Sequence, residues 1–431
     1  MNDDTMNDGT MNELPMTLRL GRKLIGTVML DGSKSISNRA LIALALAGEN
    51  PAHWLSNCST SRDTETLLQL LKHPGNDVFD AGDAGTTFRF LTAFLSTRPG
   101  EKTLTGSARM RERPVGPLVT ALQSLGANIR FLGKDGYPPL LIGEMASLGR
   151  KVEVAAHVSS QFLSALLLIG PYLPEGLELV PSGPLVSRPY LEMTLGVMRH
   201  FGASVEWQGD AIVVAPGAYT PQPLAVEADW SAASYWYAMA AFSEDLDLTL
   251  RGLHQDSWQG DSVLPQMMEK FGIQTTYGTN EIRLQKSGKP VRPLFEWDFV
   301  ECPDIAQTLA VICAGMGVAG LFTGLETLSI KETDRIGALK TELAKVGVSF
   351  AKLPPHFSKK QPDKTFYSLE NKAHWIEPVR FDTYGDHRMA MAFAPLGMLG
   401  PVELAHPDVV VKSYPGFWKD LEKMNEGILN H

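Results

Sequence analysis

The sequence predicts an α/β protein built as two lobes. A helix–Gly–strand unit recurs along the chain, helix and strand signals alternate, and 431 residues exceed one compact core. That length fits two domains of about 200 residues each. The unit reads "LVTALQSLGANIRFLG", "LGVMRHFGASVEWQG", "QMMEKFGIQTTYG" and "LKTELAKVGVSFAKL". In each, an amphipathic helical run stops at a glycine (Gly126, Gly202, Gly272, Gly347) and a β-rich run follows. Glycine after a helix accepts left-handed backbone, so the chain reverses there and a strand begins. The four glycines lie about 70 to 76 residues apart, too long a period for a solenoid, and point to copies of a helix-and-strand subdomain. "LLQLLKHPGNDVFDAG" around Gly75 is a weaker copy.

The other elements follow in chain order. "LRLGRKLIGTVML" reads as a strand. "GSKSISNRALIALALAG" reads as a helix with Ser33 as N-cap and Gly48 as its stop. "SSQFLSALLLIG" and "SRPYLEMTLGVMRHFG" are helices that begin with Ser and end at Gly. "ELVPSG", "AIVVAPG" and "LTLRGL" are strands. Asp229 caps "DWSAASYWYAMAAF", which is apolar almost all round and so is expected to be buried. "SIKETDRIGALKTEL" predicts a helix from Ser329, and Lys412 follows a β run in "DVVVKSYPGFW".

Composition narrows the function classes. Apolar residues make up 44% and charged residues 20%, ordinary for a globular protein. A net charge of −9 argues against nucleic-acid binding, yet leaves room for a local basic cleft that takes an acidic small molecule. Cys58, Cys302 and Cys313 form no C-x-x-C pair, so neither a disulfide framework nor a zinc site is expected, and a reducing cytoplasm fits. Without a Walker A loop, H-E-x-x-H or G-x-S-x-G, no catalytic metal or dinucleotide cofactor is expected. No apolar run reaches about 18 residues, so no membrane span is expected. Residues 1–13 are acidic and polar, unlike a signal peptide, and read as a disordered leader.

Several segments place small or hydroxyl residues and a cation ahead of a helix, where backbone N–H groups attract anions. In "DGSKSISNR", Lys34 falls in the first turn, and Ser35 and Arg39 lie four apart on one face. A cation is a poor use of that end of the helix dipole unless an anion joins it. "GDAGTTFR" offers Gly82 and Gly85 for close backbone approach, although an ordinary turn reads equally well. "GSARMRERP" holds Arg109, Arg111 and Arg113 in a loop, for phosphate or for solvent. Ser159, Ser160 and Gln161, and then Ser187, Arg188 and Tyr190, open two helices and serve as caps or as ligand groups. Asp304, after Pro303, is a cap or a general base, and Cys302 reads as a buried thiol rather than a nucleophile. Lys331, Glu332, Asp334 and Arg335 crowd one stretch, as a surface pair worth under about 0.5 kcal/mol or as an inward-facing anion seat. Asp386, His387 and Arg388 precede an apolar helix in "YGDHRMAMAF".

Taken together and in this order, "GSKSISNRAL", "AGTTFR", "RMRERP", "SSQFLSALL", "KETDRIGAL" and "DHRMAMAF" resemble the enolpyruvyl transferase family, from about Gly32 to Trp418. The likeness is to its shikimate branch. The UDP-N-acetylglucosamine branch carries a catalytic Cys in the arginine loop, and "GSARMRERP" has none. The resemblance implies a two-domain inside-out α/β barrel, each domain made of three βαβαββ units. One lobe would be 14–30 plus 228–431, the other the inserted 31–227, with the active site in the cleft between them. It implies enolpyruvyl transfer from phosphoenolpyruvate to the 5-hydroxyl of shikimate 3-phosphate by addition–elimination, with no cofactor, by a cytoplasmic monomer. Lys34, Asp304, Glu332 and His387 would be catalytic. Lys34, Ser35, Arg39, Ser159, Ser160, Gln161, Ser187, Tyr190, Asp304 and Lys331 would hold shikimate 3-phosphate. Lys34, Gly85, Arg109, Gln161, Arg335, Arg388 and Lys412 would hold phosphoenolpyruvate. Three positions depart from the family pattern: Asp83 and Thr327, where Asn is common, and Phe90, where Pro is common.

Overall fold

The computed structural model describes residues 14–145, 149–155, 159–183, 185, 187–358, 364–425 and 429–430. The leader expected over 1–13 lies outside them. Gly126, Gly202, Gly272 and Gly347 all take positive φ, between 77° and 98°. They close the helices Gly116–Ser124, Arg188–His200, Leu264–Met268 (with its 3-10 extension to Phe271) and Arg335–Ala344. The strands Asn128–Phe131, Val205–Gln208, Ile273–Gly278 and Ser349–Lys352 follow.

Each of those strands ends a four-stranded sheet of one design. In one, Lys151–Ala155 runs parallel to Leu177–Ser182, which pairs antiparallel with Ala211–Val214, and that strand pairs antiparallel with Val205–Gln208. Three further sheets repeat the order. A fifth does so with both chain ends: Val379–Phe381 lies parallel to Val402–Leu404, followed by Met16–Leu18 and Leu429–Asn430. The sixth is reduced to the parallel pair Leu55–Ser56 and Leu224–Ala225.

Two expected strands are altered. "LRLGRKLIGTVML" divides into Met16–Leu18 and Lys23–Met29, in different sheets. Between them the Gly21 N–H donates to Asn425 Oδ1 (2.7 Å), and Arg22 donates to the Phe242 carbonyl at a helix end (3.1 Å), so the chain is pinned at a turn. The β run before Lys412 is the 3-10 turn Pro407–Lys412, entered through left-handed His406, with Val410 buried.

The apolar residues gather in two clusters. One draws on Met16–Leu30 and Ala228–Leu421, the other on Ile36–Val226. The helix Trp230–Phe242 is buried at every position but Ser231, and Asp229 caps it through Ala232 N–H (3.1 Å). The chain crosses between the clusters at two adjacent points. Ser33 N–H donates to the Glu227 carbonyl (2.7 Å), Asp229 N–H donates to the Asp31 carbonyl (3.0 Å), and Gly32 bridges Ala228. A Cβ on Gly32 would stand 1.8 Å from the Asn57 carbonyl oxygen, so only glycine fits the crossing. Buried Glu227 braces it, accepting from Trp230 Nε1 (2.8 Å), Ser257 Oγ (2.5 Å) and Gln259 Nε2 (2.9 Å). Among the described residues no helix is long and apolar enough to cross a membrane.

Candidate active site

A cavity of about 1340 Å³, counting its mouth, opens between the two clusters, with walls from both. Ser33 stands at the N-cap of Lys34–Leu46 but forms no cap bond, and its hydroxyl is buried without a partner. Lys34 instead reaches Asp63 Oδ2 (3.0 Å), in the first turn of Arg62–Lys72. Arg39 is buried and donates to the Ser35 carbonyl (2.8 Å), Thr194 Oγ1 (2.8 Å), Ser164 Oγ (3.1 Å) and the Tyr190 carbonyl (3.3 Å). It touches the cavity, yet most of its donors tie three helices together. Burial pushes its pKa down to about 10.

Gly85 opens the helix Gly85–Ser96, and Arg89 donates back to its carbonyl (2.8 Å). A Cβ at Gly85 would meet the guanidinium groups of Arg113 and Arg89 at 2.7–2.9 Å and push these two cavity cations aside. Arg89 lies over the Phe162 ring at 5.5 Å and has no ion pair to a carboxylate among the described residues. Burial first, and then Arg113, push it down to about 9. Arg109 departs from expectation. Ser107 caps the four-residue helix Ala108–Arg111, Met110 turns into the core, and Arg109 points outward to Glu112 (3.0 Å) with its side chain 55% exposed. Arg89 and Arg113 line the cavity in its place.

Ser159, Ser160, Gln161, Ser187 and Tyr190 all line the cavity. Ser159 caps its helix through Gln161 N–H (3.2 Å), and the Gln161 amide donates to Thr86 Oγ1 (3.0 Å). Ser187 is left-handed with no cap bond. The three departures resolve locally. Asp83 is exposed and accepts from Ser107 Oγ, so its charge is spent at the turn. Thr327 lines the cavity with a buried, unpartnered hydroxyl. Phe90 is buried beneath Arg39, 5.5 Å from the guanidinium.

The opposite wall is a connected charge network. Asp304, in the 3-10 turn Pro303–Ile305, accepts from Tyr190 OH (2.6 Å) and lies near Arg388 (3.1 Å), Arg335 (3.4 Å) and Lys331 (3.7 Å). Glu332 contacts Arg335 (2.8 Å) and Lys412 (3.6 Å). Arg335, 2% exposed, also pairs with wholly buried Asp386 (2.7 Å), which caps His387–Phe393 through Arg388 N–H (2.9 Å). The helix expected from Ser329 begins at Arg335 with Asp334 as cap. Lys331 and Glu332 therefore stand on the linker before it and turn into the cavity, while Asp334 faces solvent.

Burial alone would raise the Asp304 carboxyl, but Arg388, Lys331 and Arg335 together hold it well below the usual carboxylate range. Burial likewise opposes ionisation of Glu332, and Arg335, Lys412 and Arg113 hold it low. Burial, then Lys34, depress His387, so its imidazole is neutral; neither ring nitrogen has a hydrogen-bond partner among the described residues. Burial raises the Cys302 thiol, which is no nucleophile. Both carboxylates are thus ionised and cation-bound, an arrangement that suits proton transfer beside bound anions.

Sequence reasoning missed Asp63 and the roles of Arg89 and Arg113. Asp63 reads as an ordinary acid in a helix's first turn. Arg89 carried a usable signal, four residues after Gly85 on the same face.

The family model described as EPSP synthase (3-phosphoshikimate 1-carboxyvinyltransferase) matches residues 18–77 and 71–421. A 3-phosphoshikimate 1-carboxyvinyltransferase of Bacteroides fragilis (strain YCH46) is 47% identical over 93% of this chain and 96% of its own. One from Methanoculleus marisnigri is 36% identical over 96% of this chain and 92% of its own. A solved EPSP synthase from Acinetobacter baumannii superposes with a TM-score of 0.75 at 21% identity, over 96% of this chain and 98% of that one, a likeness of fold.

Proposed function

The chain belongs to the EPSP synthase family, and we infer that it transfers the enolpyruvyl group of phosphoenolpyruvate to the 5-hydroxyl of shikimate 3-phosphate, releasing phosphate. The observation that carries this reading is the convergence of Lys34, Lys331, Arg335 and Arg388 with Asp304 and Glu332 on one cavity. Each substrate brings a phosphate and a carboxylate, so two substrates need dense cationic neutralisation in one cleft.

In the addition step Asp304 takes the 5-hydroxyl proton as that oxygen bonds to the phosphate-bearing carbon of phosphoenolpyruvate. Glu332 delivers a proton to the methylene carbon, giving a tetrahedral adduct. In the elimination Glu332 recovers a proton from the new methyl group, the double bond re-forms, and the C–O bond breaks with its electron pair leaving on phosphate, which takes up the proton that Asp304 accepted. Lys34, held by Asp63 at 3.0 Å, stabilises charge on the departing phosphate. Neutral His387 assists from the cavity wall. Glu332 must first gain a proton. Arg335 and Lys412 keep it ionised. Once the anions of phosphoenolpyruvate engage those cations, their hold on Glu332 weakens and its proton affinity rises. Substrate binding thereby arms the acid.

Ser35, Arg39, Ser159, Ser160, Gln161, Ser187, Tyr190 and Lys331 surround shikimate 3-phosphate in this reading. Gly85, Gln161, Arg335, Arg388 and Lys412 hold phosphoenolpyruvate, with Arg89 and Arg113 beside them. Two lobes, 14–30 plus 228–431 and 31–227, are supported by the separate apolar clusters and the paired crossing at Gly32 and Ala228. A monomer in the cytoplasm completes the proposal, the three free thiols suiting a reducing compartment.

Phosphorus NMR of the enzyme with both substrates tests it. Enol ether and inorganic phosphate are expected in equal amounts, and only when the acceptor is present. Phosphate release without shikimate 3-phosphate, or transfer to a UDP-sugar instead, would overturn the assignment.

A further inference from the structure

The helix Arg335–Ala344 is used at both ends. Its first residue, Arg335, lines the cavity and pairs with Asp386 buried behind it. Two turns later, Glu342 is wholly buried with three partners of its own: Tyr384 OH (2.6 Å), Lys345 Nζ (2.6 Å) and Asp382 N–H (3.0 Å). Lys345 also donates to the Arg380 carbonyl (2.9 Å). All these bonds converge on the segment that leads into Asp386, His387 and Arg388.

That segment is strained. Tyr384 and Gly385 are consecutive left-handed residues, with φ of 54° and 65°. Glycine adopts this backbone freely, whereas tyrosine does so at a cost, and such a residue persists where its surroundings over-determine it. Here the surroundings are Asp382 Oδ1, which accepts from Tyr384 N–H (2.7 Å), and the Glu342 carboxylate, which holds the hydroxyl. The double left-handed step reverses the chain, Asp386 N–H closes the turn on the Thr383 carbonyl (2.8 Å), and His387 and Arg388 then line the cavity.

We infer that Glu342 and Tyr384 are positioning residues: the Tyr384 hydroxyl, tied to Glu342, holds the turn 382–386 in its left-handed form and so fixes where Asp386 and Arg388 stand. Neither Glu342 nor Tyr384 lines the cavity, so they act through the turn and not on substrate. Burial first, and then Glu342, push the Tyr384 hydroxyl up to about 12, so it remains a donor at working pH. The inference rests on the reading that Arg388 and Arg335 hold phosphoenolpyruvate.

Calorimetric affinities and steady-state kinetics of the full-length variants Tyr384→Phe, Glu342→Ala and Glu342→Gln test it. Loosening the turn is expected to weaken phosphoenolpyruvate by about 10-fold in Tyr384→Phe and Glu342→Ala, a fraction of what an ångström of misplacement costs. Shikimate 3-phosphate affinity stays unchanged. Glu342→Gln keeps both ties, its amide oxygen accepting from Asp382 N–H and its amide nitrogen donating to the Tyr384 hydroxyl oxygen, and restores affinity. If Glu342→Ala fails to fold, Tyr384→Phe, at a partly exposed position, still decides the matter. A lowered melting temperature with phosphoenolpyruvate affinity intact means a structural tether only and overturns the inference, as does equal weakening of both substrates. Wild-type protein that binds phosphoenolpyruvate but releases no phosphate defeats the functional reading alone, and the affinities still judge this one. Wild-type protein that does not bind it defeats both.

Discussion

The two walls of the cavity handle charge in opposite ways. The wall built on Ala228–Leu421 sets Asp304, Glu332 and Asp386 against Lys331, Arg335, Arg388 and Lys412, and each carboxylate has a cation within 4 Å. The wall built on Ile36–Val226 sets Lys34, Arg39, Arg89 and Arg113 against Asp63 alone. Arg39 and Arg89 are buried with neutral groups as their hydrogen-bond partners. One wall is nearly self-neutralised and organises its own geometry. The other keeps a positive excess that only a bound anion satisfies. Proton transfer needs carboxylates whose basicity neighbours can tune, and anion capture needs cations with no partner yet, so the asymmetry fits the two tasks proposed for the walls.

Removing a charge should therefore have opposite consequences on the two walls. Asp386→Ala is expected to destabilise by about 3–5 kcal/mol, since it leaves buried Arg335 without its nearest carboxylate; urea unfolding measures it, and an unchanged midpoint would deny that this wall supports itself. Glu332→Gln keeps the shape of the wall and is expected to lower turnover at least about 100-fold while substrates still bind. Turnover at the wild-type level would remove Glu332 from the chemistry. The pH dependence has a definite sign. Asp304 and Glu332 titrate lower in the folded protein than the ordinary unfolded values of about 4. Their contribution to stability is full above that range and is lost only as pH falls through the depressed values. Acid unfolding driven by this wall begins below about pH 4.

On the other wall the expectation reverses. Arg89 is depressed to about 9, chiefly by burial. It is charged in both folded and unfolded chains at pH 7, so its desolvation cost is fully present there and is relieved only as pH rises through about 9 toward the unfolded value. Arg89→Met is expected to stabilise the empty protein by roughly 0.5–2 kcal/mol. Phosphoenolpyruvate should then raise the melting temperature of the variant less than that of the wild type. Destabilisation of the empty protein would mean that Arg89 is a structural group and would break the comparison.

How much of this was legible differs between the walls for a physical reason. The charged clusters Lys331–Arg335 and Asp386–Arg388 lie close in sequence, and their crowding posed the choice between a surface pair and an inward-facing seat, which only burial decides. The glycine stops were readable, because a left-handed helix end is a local property of the chain. The second wall is assembled from residues far apart. Asp63 meets Lys34 across 29 positions, and Arg113 meets Arg89 from a loop in which Arg109 and Arg111 stay exposed while Arg113 turns in. Spacing alone does not say which arginine of "RMRER" turns inward. That depends on Met110 entering the core, which fixes the phase of a helix only four residues long.

Arg109 is where that phase is put to the smallest test. Its pair with Glu112 is solvent-exposed on both sides, so Arg109→Ala should change stability by less than about 1 kcal/mol. With the cavity as it stands, the affinity for phosphoenolpyruvate should also stay near wild type, because Arg89 and Arg113 supply the cations on that wall. A large loss of affinity with stability unchanged would mean that the short helix Ala108–Arg111 rotates when substrate binds and brings Arg109 inside. The positive excess of this wall would then be larger in the working enzyme than in the empty one, and the contrast between the walls would sharpen as the cleft fills.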